Sequence, residues 1–324
     1  MNSHIVIVLA SFNGADFLRE QLESLIAQTE SQWNLLIRDD GSTDDTLETT
    51  QDYSNKDRRI QLLPGDGAAA GSALGNFAIL LEAAFELGAE YIFCCDQDDV
   101  WEPDKLELVL ARLKQLEGEG GRPCLVHHDL VVVNEALEPL ADSFVELMKL
   151  QPGDQHDPQR LISHNEVTGC AMACNRALLE IALPVSGQAV MHDWWFAMCA
   201  GFFGQLVFMP EKLVKYRQHG KNTIGAKSFW HGLNPFTDWV AGWKCGNKEF
   251  LSTVNQSMAF QLAMTDRLQK EPELLATLVR YSGLATATPW QRLRTLRQCG
   301  LWRSHWLLNG VMVMRMLLLP RGSI

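Results

Sequence analysis

The chain has no Asp or Glu after Glu273, although Arg280, Arg292, Arg294, Arg297, Arg303, Arg315 and Arg321 all follow it. It also lacks any stretch of ~20 uninterrupted apolar residues, so no segment reads as a transmembrane helix. No basic leader with a small-residue cleavage site precedes the first strand-like run, so no signal peptide is expected and the expected compartment is the cytoplasm. The eight cysteines include no pair of CxxC motifs, which argues against a structural zinc site. Cys94 and Cys95 sit instead in the apolar run Tyr91-Ile92-Phe93-Cys94-Cys95 and read as small buried hydrophobes of a reducing compartment. There is no internal repeat, which argues against a solenoid. Basic residues are in deficit: a formal net charge of −11 argues against a nucleic-acid partner, which needs a positive surface to neutralise phosphates.

What is present is an ordinary globular composition in 324 residues, a length that suits one large domain with an appendage. His4 to Ala10 is a β-branched apolar run and reads as a buried parallel strand. Phe17, Leu18, Leu22, Leu25 and Ile26 then recur at helical spacing. Further strands are expected over Trp33 to Arg38, Ile60 to Leu63, Tyr91 to Cys95, Cys124 to Val133, Val167 to Ala173 and Leu206 to Met209. Ser42 and Asp45 form a capping signature for a helix starting near Thr43, and Pro103 opens another. The Gly/Ala-rich stretch Gly65 to Gly75 lacks the Gly-Lys-Ser/Thr ending of a phosphate loop and reads as a lid before a helix starting at Asn76. Strands alternating with helices at this spacing predict an α/β fold with a doubly wound, mostly parallel sheet. Beyond residue ~225 the pattern turns helical and Trp-rich, which places a boundary between residues 1–225 and a helical C-terminal extension, 226–324.

Two acidic clusters fall after expected strands: Asp39-Asp40, and Asp96, Asp98 and Asp99. In an open parallel sheet, ligands bind at the carboxyl ends of strands. Crowded carboxylates repel one another, and a hard divalent cation relieves that repulsion. The competing reading is a polar loop rich in helix caps. His127-His128-Asp129 has a metal-like look, but adjacent residues of a strand face opposite ways, so a structural role is the better reading.

The ordered set of Ala10-Ser11-Phe12-Asn13, Arg38-Asp39-Asp40-Gly41-Ser42, Asp96-Gln97-Asp98-Asp99-Val100-Trp101, Thr168-Gly169-Cys170, His192-Asp193-Trp194-Trp195 and Tyr216-Arg217-Gln218-His219-Gly220 resembles the family-2 inverting glycosyltransferases of GT-A fold. Within that family the chain looks most like bacterial rhamnosyltransferases that build surface polysaccharides. The resemblance spans residues ~4–225. It implies a nucleotide-sugar donor, with Ser11, Asn13 and Asp39 on the base side, Asp40 and Asn76 also at the donor and Asp96 at the ribose. It implies Mg²⁺ or Mn²⁺ held by Asp98, with His219 approaching from the far side, and Asp193 as catalytic base. Trp194 and Trp195 offer apolar faces to an acceptor sugar, with core packing as the alternative. For Asp193 the alternative is a helix N-cap. The implied reaction moves a sugar, with rhamnose from a dTDP donor as the leading candidate, to a glycan or lipid-linked glycan.

Two rival functions stand beside this one. A sugar-nucleotidyltransferase would carry a basic residue directly after its first strand, where Ser11-Phe12-Asn13-Gly14 has none. A non-catalytic binding protein would have shed its acids, yet Asp98, Asp193 and His219 are present. The acid-free tail, where Arg alternates with Trp, Leu and Met over 290–319, suits peripheral contact with an anionic membrane surface on the inner face of the cell membrane. Its alternatives are packing on the catalytic domain and a dimer contact.

Overall fold

A computed structural model describes residues 5–64, 70–152, 158–220, 239–299 and 306–319. Part of the expected lid (65–69), the expected boundary near residue 225 and residues 300–305 of the tail lie outside the described residues. The first half alternates as the sequence predicts: β1 (Ile5–Ser11), α1 (Ala15–Ile26), β2 (Trp33–Asp39), α2 (Thr46–Lys56), β3 (Ile60–Leu62), α3 (Ala73–Glu86) and β4 (Tyr91–Asp96). Strand β1 pairs in parallel with β2 and β4, and β2 in parallel with β3. Both faces of β1 are covered, which is why its sequence is apolar without alternation.

The second half carries β5 (Val100–Trp101), α4 (Lys105–Glu117), β6 (Cys124–Val133), β7 (Pro139–Ala141), α5 (Phe144–Met148), α6 (Pro158–Leu161), β8 (Met172–Asn175), α7 (Arg176–Ala182), α8 (His192–Phe203) and β9 (Gln205–Arg217). The strand order is β3-β2-β1-β4-β8-β6-β9-β5, with β7 on β6. The long ladders are parallel, including β6 with β9, but β8 runs antiparallel to both β4 and β6. The sheet is therefore mixed and mostly parallel.

Several expected boundaries shift, each for a local reason. Helix α2 begins at Thr46, because Ser42 is diverted from capping: its hydroxyl accepts from Asn13 N–H (2.8 Å) and donates to Asp39 (2.5 Å). The strand expected over Val167 to Ala173 starts only at Met172, where ladder partners on β6 begin; Gly169–Ala171 form a 3-10 turn instead. The short strand expected at Leu206 to Met209 runs on to Arg217, with its register shifted opposite His128 and Asp129. Pro210, which cannot donate to a ladder, lies at that shift.

The sheet separates two apolar layers. One holds α1 and α4 through Leu18, Leu22, Leu25, Val109 and Leu113. The other holds α3, α7 and α8 and continues into α9 (Trp239–Ala263), α10 (Thr265–Leu268), α11 (Pro272–Ser282), α12 (Pro289–Gln298) and α13 (Trp306–Leu318). Phe260 of α9 meets Trp195 edge-on at 5.2 Å between ring centroids, so the C-terminal helices pack on the sheet domain through α8. Among the described residues no helix is long and apolar enough to cross a membrane.

Candidate functional site

The carboxyl ends of β1, β2 and β4 bring together the polar residues that the sequence scatters over its first hundred positions. The Asp39 carboxylate accepts from Gly41 N–H (3.0 Å), Ser42 N–H (2.8 Å) and the hydroxyls of Ser42 and Ser11. Asn13 holds a left-handed backbone (φ 47°), which Asn tolerates, and its side-chain oxygen accepts from Thr43 N–H at 2.8 Å. Asp40 pairs with the buried Arg38 (2.9 Å) and accepts from Ala70 and Gly71 N–H, so it ties the segment before α3 to the end of β2. Gln97 clasps the β1 turn by bonding both the N–H and the C=O of Phe12 (2.9 and 3.0 Å). Gly14 must be glycine for this clasp: a Cβ there would lie 2.2 Å from Gln97 Oε1.

Asn76 is buried. It accepts from Arg38 Nη1 at 3.0 Å and donates to the carbonyls of Arg38 (3.2 Å) and Ser11 (3.5 Å). All its polar atoms are engaged with the ends of β1 and β2, so it positions the strand ends beside which the donor is expected.

The second acidic cluster lies after β4. Asp98 Oδ2 is 2.7 Å from His219 Nε2, beyond the end of β9, although 121 residues separate them. Arg217 fixes this junction: its N–H donates to Asp99 Oδ1 (3.0 Å), its Nε to the Asp98 carbonyl (2.8 Å), and its guanidinium also binds Glu20. Burial, then the charge of Asp98, pushes the Asp96 and Asp99 carboxyls well above the usual carboxylate range. Lys105 lies beneath them, fully buried, with Nζ donating to the Cys170 carbonyl at 2.7 Å and seated 3.4 Å from the Trp101 ring centre. Burial lowers the Lys105 ammonium to about 8.

Asp193 lies one residue inside α8, whose N-cap is Met191, so the N-cap alternative does not hold. Its Oδ1 accepts from Asn165 Nδ2 (3.1 Å) and Trp194 N–H (2.5 Å), and Gly169 N–H also donates to the carboxylate. Burial outweighs these donors and pushes the carboxyl up to about 7. Its charge is felt at Asp96, so the β4 cluster and the start of α8 share one electrostatic neighbourhood. The turn at Gly169–Ala171 joins them: Gly169 serves Asp193, and the Cys170 thiol serves Asp96.

The two tryptophans part ways. Trp194 is half-buried, with its indole N–H on the Leu161 carbonyl (2.6 Å). Trp195 is fully buried, donates to the Ala182 carbonyl (2.8 Å) and packs on Phe260, which corrects the expectation that it faces an acceptor. His127 and His128 are likewise buried, and Asp129 caps the start of α5 with Ser143 and Val145, in keeping with a structural role.

The donor set suits a hard divalent ion. Asp96, Asp99 and Cys170 place candidate ligand atoms within 4.8 Å of one another, but burial holds the thiol protonated, and Mg²⁺ and Mn²⁺ prefer oxygen and imidazole nitrogen to sulfur. The less enclosed Asp98–His219 pair offers those atoms. The residues missed from sequence are the supports: Arg38, Lys105, Asn165 and Gln97. Arg38 and Gln97 carried a signal, each through its place in one of the ordered motifs.

Residues 6–120 match the profile of glycosyl transferase family 2. The chain is 31% identical over 229 residues to the dTDP-rhamnosyl transferase RfbG of Shigella flexneri, an alignment covering 67% of this chain and 74% of that protein. It is 24% identical over 229 residues to an uncharacterized glycosyltransferase of Nostoc sp., of whose length it spans 66%. Among solved structures it is similar to S. aureus TarS 1-349 in complex with UDP-GlcNAc, with TM-score 0.52 and 14% identity over 91% of this chain and 80% of that one. It is also similar to the mannosyltransferase PcManGT of Pyrobaculum calidifontis in complex with GDP-Man and Mn²⁺, with TM-score 0.50 and 14% identity over 97% and 81%. The fold is thus that of the GT-A glycosyltransferases, the profile spans β1 to β4 and the Asp98 cluster, and the identity to RfbG extends over two thirds of this chain: the chain is a glycosyltransferase and belongs to family 2.

Proposed function

We propose that the protein is a metal-dependent, inverting glycosyltransferase that takes a sugar from a nucleoside diphosphate donor to a glycan or lipid-linked glycan of a cell-surface polysaccharide. The observation that carries this reading is the meeting of three groups beyond the carboxyl end of β4: the Asp96–Asp99 acids, His219 beside Asp98, and the desolvated Asp193. Residues 1–225 form the catalytic unit and 226–324 the helical extension. Ser11, Asn13 and Asp39 shape the base side of the donor pocket, Asp40 joins them at the donor, and Asp96 faces the ribose. Asp98 and His219 hold Mg²⁺ or Mn²⁺, which when bound neutralises the diphosphate as it leaves. The likeness to PcManGT, whose complex contains Mn²⁺, supports that ion class.

Asp193 removes the proton from the acceptor hydroxyl. A carboxylate desolvated to a pKa of about 7 is a stronger base than one in water and is still ionised in a useful fraction at neutral pH. Asn165, Gly169 and Trp194 hold it in one orientation, and the half-buried Trp194 is the tryptophan left to meet the acceptor sugar. The identity to RfbG, a dTDP-rhamnosyl transferase, supports dTDP-rhamnose as donor. The test is a panel of nucleotide sugars with Mg²⁺ or Mn²⁺, scored by release of nucleoside diphosphate and by NMR of the product anomer. dTDP-rhamnose is expected to turn over fastest and with inversion. Turnover of no member of the panel, or equal turnover with all metal removed, would defeat the reading.

A further inference from the structure

Helices α12 and α13 each bury one face and turn the other outward. On α12, Arg292, Leu296 and the adjoining Cys299 are buried, whereas Trp290, Arg294 and Arg297 are exposed. Their spacing of four and three residues places these three on one stripe. Trp290 is 79% exposed, so its ring stands out from the packing of the described residues. On α13, Met312, Met316 and the adjoining Leu319 are buried, while Val311, Met314, Leu317 and Leu318 stand in solvent. A helix that is apolar on both faces expects an apolar partner on each.

The two helices are joined at their ends. Arg292 is wholly buried and donates to the carbonyls of Leu319 (2.5 Å), Leu284 (2.7 Å) and Ala285 (3.0 Å). It therefore staples the middle of α12 to the end of α13, the end that carries the exposed Leu317 and Leu318.

The charge on these two helices has one sign. Arg294 and Arg297 are exposed, and neither α12 nor α13 carries an acid, in a chain whose net charge is −11. An anionic surface is thus attracted by this face and repelled by the rest of the molecule. A second copy of the chain fits poorly, because a two-fold contact sets the same arginines against each other. We propose that α12 and α13 form a docking surface for the interface of an anionic phospholipid bilayer. The Trp290 ring lies at headgroup depth, the α13 stripe enters the acyl boundary, and the arginines meet lipid phosphates. This surface does not depend on the reaction proposed above, and its test does not read activity.

The experiment is flotation of the full chain with phosphatidylcholine vesicles, with and without phosphatidylglycerol, at low and high salt. Capture is expected only by the phosphatidylglycerol vesicles, strongest at low salt. The double variant Arg294→Gln/Arg297→Gln is expected to partition roughly thirty-fold more weakly, at roughly five-fold per arginine. Trp290→Ala and Leu318→Ser are expected to lower capture at either salt. All three variants alter exposed side chains, so their melting temperatures should match the parent's. No capture by anionic vesicles at low salt, equal capture by neutral ones, or capture indifferent to every substitution overturns the proposal. So does a dimer in sedimentation that Leu318→Ser dissociates, which would assign the stripe to self-association.

Discussion

Aspartates at the ends of β1 and β2 and aspartates around β4 and α8 live under opposite regimes. Asp39 and Asp40 are saturated by backbone N–H groups, hydroxyls and Arg38, and they serve as fasteners for loops. Asp96 and Asp193 are desolvated, and their carboxyls are pushed upward. The difference shows how one residue type builds both the frame and the reactive part of a site. Full hydrogen bonding fixes a carboxylate in place, while partial desolvation leaves its proton affinity high enough to use.

The largest expected effect tests the reactive side. Asp193→Asn should lower turnover roughly 10²–10⁴-fold, the usual worth of general acid–base catalysis, with donor affinity unchanged. In the parent, kcat/KM should rise with pH through about 7 and then level, because the ionised carboxylate is the active form. The Asn variant should lose that limb. The sign for stability is the reverse. A carboxyl whose folded pKa lies above its unfolded value stabilises the fold while protonated, so this contribution declines as pH rises from about 4 through about 7. A thermal-melt series of parent and variant against pH checks it.

Next in size is Asp98→Asn, expected to cost on the order of 10²-fold or more in turnover and to remove the response to added Mn²⁺. Chelation of the parent should reproduce the loss and metal should restore it; an Asn variant that still responds fully to Mn²⁺ would move the ligand elsewhere. On the frame side, Asp40→Ala removes the carboxylate that pairs with the buried Arg38 and accepts from Ala70 and Gly71 N–H. It should cost about 1.5–3 kcal/mol in denaturant unfolding, the usual worth of hydrogen bonds to a charged group. The comparison would blur if Asp40→Ala proved as stable as the parent. The smallest effect is Gly14→Ala: the Gln97 amide, the end of a flexible side chain, swings off Phe12 to clear the added Cβ, at a cost of about 1 kcal/mol. The double variant Gly14→Ala/Gln97→Ala should cost no more than Gly14→Ala alone in the same unfolding assay.

The first half of the fold was legible because it is built from local signals. Ile5–Ser11 and Tyr91–Asp96 are continuous apolar runs ending in polar turns, and Trp33–Asp39 is apolar but for Asn34 and Arg38 before its own turn, as parallel strands buried on both faces require. The start of β8 is not local to the sequence: Cys170, Ala171, Met172 and Ala173 are all small or apolar, and only the ladder opposite His127 decides that pairing starts at Met172. Ser42 has the sequence of a helix cap, and its hydroxyl went to Asn13 and Asp39 because β1 ends beside it.

The sequence by itself determined the α/β class, the acids at strand ends, the family resemblance through its ordered motifs, and the one-signed charge of the tail. Each is a property of residue type and spacing along the chain. The tertiary structure alone decided that β8 runs against its neighbours, that His219 reaches Asp98, that Asn76 and Trp195 are interior while Trp290 is not, and that Asp193 is desolvated. These follow from which surfaces face each other after folding. Burial and charge–charge distance are properties of pairs far apart in sequence, so no local pattern encodes them.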